Sequence, residues 1–295
     1  MPNQPLSRLQ FLARTALEQE LEIRYRRTSC MSLNPVVRRV ALGLASASAI
    51  AVLSGAGVHT TPTSTDAGAN DGGVPILMYH LVSDPPPNAP FPELYVRPGD
   101  FRGEMRWLAR HGYTALTLKQ VWAAWHGHTQ MPARPVVLTF DDGYRSIATR
   151  AGPILRSHHW PGVLNLKVGN ISNRWGFGAG RVRGLIRAGW EVDSHTLTHP
   201  DLTTLDAASL RHEVSASRTA IRRRFHVPVH FFCYPSGRYN DRVVAAVEEA
   251  GYLGATTTNY GVARLDDPYR LDRVRVNRSD GIAGFAAKMT AVGRS

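Results

Sequence analysis

The chain has 295 residues, 43% hydrophobic and 20% charged, a globular balance that excludes a disordered or fibrous protein. The length allows one large α/β domain or two smaller ones, with ample core. The formal charge is +12, and all but three of the 35 basic residues are arginine. Residues 1–39 carry +4 of that charge, and the other +8 is dispersed without forming a run. Dispersed basicity favours anionic surfaces, but no nucleic-acid motif accompanies it, so nucleic acid is not an expected partner.

Taken in chain order, Arg38 and Arg39 precede "VALGLASASAIAVLSGAGV", residues 40–58. A basic flank, a short apolar run and small residues at Ser54-Gly55-Ala56 fit an export signal. The run is shorter than the roughly 20 residues of a membrane span. Membrane anchoring by an uncleaved 40–58 segment is therefore the second reading. Met31 is an alternative start. Residues 1–58 read as a basic leader with an export signal or anchor, and 59–73, "HTTPTSTDAGANDGG", as a flexible linker. The destination is outside the cytoplasm: periplasm, cell wall or medium. Of the two cysteines, Cys30 falls in the leader, so Cys233 is expected to form no disulfide.

From residue 74 to 295 strand-like runs recur at 75–82, 113–118, 135–140, 162–168, 190–195, 229–234, 254–258 and 273–276. Helix-like segments lie between most of them. Phe101, Met105 and Leu108 share a helix face, Asp206 is a natural N-cap before Leu210, Val214 and Ile221, and Gly251 is a natural stop. Strands alternating with helices predict a mostly parallel sheet closed into a distorted (β/α) barrel of seven or eight strands. In such barrels chemistry gathers at the C-terminal ends of the strands.

Two clusters stand at those ends. "VVLTFDDGY", residues 136–144, runs an apolar strand into Asp141, Asp142 and Gly143, which could be an ordinary turn. "EVDSHTLTHPDL", residues 191–202, places His195 and His199 four residues apart. Two imidazoles and one carboxylate can hold a divalent ion and leave positions open for water, the pattern of a catalytic site. A second carboxylate is then needed as base, and Gly143 allows the sharp turn that lets both face one pocket. A glycosidase acid–base pair is the competitor. It fits poorly, because such carboxyls stand roughly 5–9 Å apart and it leaves both histidines without a role.

Together "TFDDGY", "SHTLTHPDL" and "FCYPSGRYN" resemble the polysaccharide deacetylase family, carbohydrate esterase family 4, over about residues 74–280. The resemblance implies hydrolysis of acetyl groups on a polysaccharide, with Asp141 as general base and Asp142, His195 and His199 as metal ligands. In the third motif Cys233 stands where the family commonly has an arginine that braces the base, which puts the tuning of Asp141 in question. Pro235 is retained, and the Ser236 N–H matches the family's oxyanion donor. No histidine follows His230, so the usual late catalytic histidine is missing. "PILMYHLVSD" resembles the subgroup acting on poly-N-acetylglucosamine polymers, which implies His80 as the acid. Trp175 and Tyr234 are candidate sugar-stacking faces.

The reading is an exported enzyme that removes N-acetyl groups from an N-acetylglucosamine-containing polysaccharide with a divalent ion, zinc first. An O-acetyl esterase and a catalytically inactive glycan-binding module are the alternatives.

Overall fold

A computed structural model describes residues 73–172 and 176–293. The leader, the linker up to residue 72, Cys30 and Trp175 lie outside the described residues. Among the described residues no helix is long and apolar enough to cross a membrane.

The strands are β1 (Ile76–Tyr79), β2 (Leu81–Val82), β3 (Tyr95–Val96), β4 (Thr114–Leu116), β5 (Pro135–Asp141), β6 (Val163–Leu166), β7 (Glu191–Ser194), β8 (Phe231–Cys233), β9 (Gly254–Tyr260) and β10 (Leu271–Arg275). The helices are α1 (Pro98–Arg110), α2 (Leu118–Trp125), α3 (Gly152–Ser157), α4 (Ala179–Arg187), α5 (Ala207–Arg211), α6 (Ser217–Phe225), α7 (Asp241–Glu249) and α8 (Gly281–Val292). The main sheet has eight strands in the order β1-β10-β9-β8-β7-β6-β5-β4, and β1 pairs back onto β5. Seven parallel strands thus close the barrel, as the alternating pattern predicts.

The distortion is located at β5. Its N-terminal half pairs with β4 through Pro135–Val137, and its C-terminal half pairs with β6 through Thr139–Asp141. Because β1 holds the opposite edge, β4 and β6 share one edge of β5 and β4 stands outside the ring. The expected strand at 75–82 is interrupted at His80, and β2 then pairs with β3 beside the barrel mouth.

Side-chain alternation sorts the strands into two faces. Leu77, Tyr79, Leu138, Phe140, Leu164, Leu166 and Phe232 pack outward against helix residues such as Phe101, Met105, Val182, Ile221, Val247 and Phe285. The intervening residues point into the lumen, where the buried polar set Thr139, Asp141, Asn165, Asp193, Thr256 and Arg273 sits. At the N-terminal end α2 closes the lumen: the Lys119 N–H donates to Glu191, and Trp122 packs edge-on against Phe231.

Beside the opposite mouth, Tyr79 stacks within Phe101 and Phe140 and its hydroxyl donates to Glu104 Oε2 at 2.9 Å. This ties the end of β1, and so His80, to α1. Glu104 is fully buried and its other oxygen has no partner among the described residues. Burial pushes the Glu104 carboxyl up to about 8, although the Tyr79 hydrogen bond pulls it down. A carboxyl neutral in the fold but ionised when unfolded stabilises fully only below its ordinary value of 4.5, and loses that contribution as pH rises toward 8. Glu104→Gln should therefore gain unfolding free energy over the parent, by roughly 2–4 kcal/mol between pH 5 and pH 8. Denaturant titrations at both pH values check this, and a pH-independent difference would contradict it.

Candidate active site

The two aspartates diverge because the strand ends between them. Asp141 is the last residue of β5 and points into the lumen, while Asp142 and Gly143 take left-handed φ values of 72° and 82°. A continuing strand would send the two carboxyls to opposite faces; the turn brings both to the mouth. The Gly143 N–H closes it on the Asp141 carbonyl at 2.9 Å, and Asn170 holds the Asp142 carbonyl at 2.9 Å. A Cβ on Gly143 would meet Leu166 at 2.7 Å, so only glycine suits both the space and the φ.

His195 follows β7, with His199 four residues on. The His195 Nδ1–H donates to the Cys233 carbonyl at 2.7 Å, which fixes the tautomer and turns the Nε2 lone pair to the pocket. His199 has φ 69° and Thr196 has φ 65°, and the Thr196 hydroxyl bridges the His199 N–H and the His195 carbonyl. Glu213 accepts from Leu197 N, Thr198 N and Thr198 Oγ1, pinning the loop from outside. It projects from a π-helical turn, His212–Ala216, that interrupts the helix joining α5 to α6.

Asp142 Oδ1 lies 3.6 Å from His195 Nε2 and 3.8 Å from His199 Nε2. Donors about 2.0–2.2 Å from one tetrahedral ion stand about 3.4 Å apart, so these two imidazoles and one carboxylate fit a divalent ion with little adjustment. A second group, Asp141, His195 and Cys233, is also compact. It does not suit a cation, because a guanidinium already occupies the Asp141 carboxylate.

That guanidinium belongs to Arg273, inward-facing on β10. Nη1 and Nη2 bind Asp141 Oδ1 and Oδ2 at 2.9 Å each, Nη1 also donates to Thr139 Oγ1, Nη2 to Cys233 Sγ, and Nε to the Thr257 carbonyl. All five donors are used. Asn165 Nδ2 adds a 2.7 Å bond to Asp141 Oδ1. Burial alone would raise the Asp141 pKa, but Arg273 outweighs it and holds the carboxyl well below the usual range. The doubt raised by Cys233 is thereby corrected: the arginine is present but comes from another strand, and Cys233 leaves room for it.

His80 Nε2 stands 3.9 Å from Asp141 Oδ2. Burial lowers its pKa, against the pull of Asp141 and Asp142. Ser236 is exposed at φ 54°, and among the described residues its N–H has no acceptor. Pro235, beside it in the chain, is buried. Tyr234 corrects the stacking expectation: it is fully buried, its hydroxyl donates to the Tyr269 carbonyl, and Tyr239 covers its ring at 4.9 Å.

Arg273 and Asn165 escaped the sequence reading. The signal for Arg273 was "RVRV": an arginine at an inward position of a barrel strand must find a carboxylate inside. Asn165 gave no comparable signal.

The family profile described as Polysaccharide deacetylase matches residues 128–255. The protein YxkH of Bacillus subtilis (strain 168), named for the same family, is 30% identical over 214 residues, covering 72% of this chain and 74% of that protein. The poly-beta-1,6-N-acetyl-D-glucosamine N-deacetylase of Escherichia coli (strain K12) is 26% identical across 73% of this chain, which spans only 38% of that enzyme's length. Among solved structures, the Streptococcus pyogenes deacetylase PplD in complex with acetate superposes with a TM-score of 0.68 at 25% identity, covering 74% of this chain and 98% of that one.

Removing one partner of a buried ion pair leaves the other charged and unpaired, at about 3–5 kcal/mol. Arg273→Met should lose that much unfolding free energy in denaturant titration. A loss under about 1 kcal/mol would contradict the bracing role assigned to Arg273.

Proposed function

Given that the chain belongs to the polysaccharide deacetylase family, we propose that it hydrolyses N-acetyl groups on an N-acetylglucosamine-containing polysaccharide outside the cytoplasm. The observation that carries this reading is the division of two neighbouring carboxylates: Asp142 converges with His195 and His199, while Asp141 is withheld by Arg273 and faces His80. A divalent ion held by Asp142, His195 and His199, zinc by the nature of the donors, would polarise the acetamide carbonyl and acidify a water.

Asp141 accepts the proton that this water loses, and Arg273 guarantees that it is ionised when the substrate arrives. The Ser236 N–H is free to donate to the oxygen on which negative charge develops. The C–N bond breaks as the amine nitrogen gains a proton, and His80 is the group placed beside Asp141 to supply it. Burial makes its imidazolium a readier donor. Acetate and a free amine on the sugar are the products. The export-like segment at residues 40–58 supports action outside the cytoplasm, and the N-acetylglucosamine assignment draws on the name of the Escherichia coli relative.

The test uses the full chain with zinc or cobalt, measuring acetate release from N-acetylglucosamine oligomers, poly-N-acetylglucosamine, peptidoglycan and acetylated xylan. Asp141→Asn should retain bound metal and lose about 10²–10⁴-fold in turnover, whereas Asp142→Ala or His195→Ala should lose both. Undiminished turnover in Asp141→Asn would remove the base role. His80→Gln should depress N-acetyl hydrolysis more than O-acetyl hydrolysis, since an alcohol leaves with less need of a proton than an amine. Faster release from xylan than from every N-acetylated glycan would instead support the esterase.

A further inference from the structure

Arg275 follows Arg273 by two residues on β10 and so points to the same face, one layer nearer the mouth. Arg273 spends all its donors inside the lumen. Arg275 is half-buried, and among the described residues no carboxylate or other acceptor meets its guanidinium. Arg275 stands in register with Met78 of β1, two residues before His80, which places it on the wall of the site.

The carboxylates of the site, and those that bind the segment after β10, hold other partners. Asp141 is taken by Arg273, and Asp142 belongs to the histidine pair. Asp280 pairs with Lys288, whose Nζ also donates to the Arg275 carbonyl. Glu93 is held by Ser279, and Asp84 by Arg278 at 3.5 Å. A half-buried guanidinium whose N–H groups have no acceptor is open to an anion, and its planar fork suits a carboxylate best.

We propose that Arg275 is a carboxylate-binding subsite at the mouth of the active site. The inference rests on the deacetylase reading and narrows its substrate. The carboxylate has two sources, an acidic sugar of the glycan next to the acetylated one, or the acetate released.

The experiment is calorimetric binding to the full chain of two matched N-acetylated oligosaccharides, one with a carboxylate on the neighbouring sugar and one without, and of sodium acetate. The parent should bind the carboxylated oligomer about tenfold more tightly than the neutral one. Arg275→Gln should abolish that preference and Arg275→Lys should keep part of it, which also controls for misfolding. Loss of acetate affinity in Arg275→Gln, with no preference between oligomers in the parent, would assign the subsite to the product. If neither oligomer preference nor acetate affinity depends on residue 275, the proposal is overturned. Acetate release from the neutral oligomer is followed in parallel: its absence with Arg275-dependent binding intact sinks the deacetylase reading alone, and its presence without such binding sinks this inference alone.

Discussion

The ion pair between Arg273 and Asp141 is the interaction on which the site depends. An unpaired carboxylate inside a barrel would take up a proton or draw a cation. With both oxygens bound by a guanidinium that is itself fully satisfied, Asp141 does neither. It stays ionised and stays out of the neighbouring donor trio. The same pair joins β5 to β10 across β1, so the barrel's closure and the charge state of Asp141 are one feature.

This explains the doubled aspartate in terms of backbone geometry. Asp142, Thr196, His199 and Ser236 all adopt left-handed φ around one pocket, a conformation that non-glycine residues seldom take. Three of the four are held by neighbours: Asn170 on the Asp142 carbonyl, Thr196 and Glu213 within the histidine loop. The two adjacent acids thus face different partners, Asp142 the histidine pair and Asp141 the guanidinium.

Much of this was legible in the chain. Alternating strands and helices give the barrel, and the Asp-Asp-Gly and His-x-x-x-His spacings give the cluster, because both depend on local geometry. What escaped depends on pairings across the lumen. Arg273 lies 132 residues from Asp141, and only strand order shows that it occupies the place expected of residue 233. That substitution also removes one of the two grounds for an inactive binding module, since the bracing arginine is present. Tyr234 misled for a related reason: its motif places it at a strand end, but sequence does not show that Tyr239 folds over it. The run at 113–118 reads as an ordinary barrel strand, yet β4 lies outside the ring because β6 takes its place along β5.

An ion held by Asp142, His195 and His199 would leave Asp141 and Cys233 uncoordinated, because Arg273 occupies the Asp141 carboxylate. X-ray absorption at the metal edge of the zinc- or cobalt-loaded protein tests it most directly. The account predicts nitrogen and oxygen scatterers only, at about 2.0–2.2 Å, two of them imidazoles. A sulfur scatterer near 2.3 Å would place the ion on Cys233 and Asp141, and would contradict the division of labour between the two aspartates.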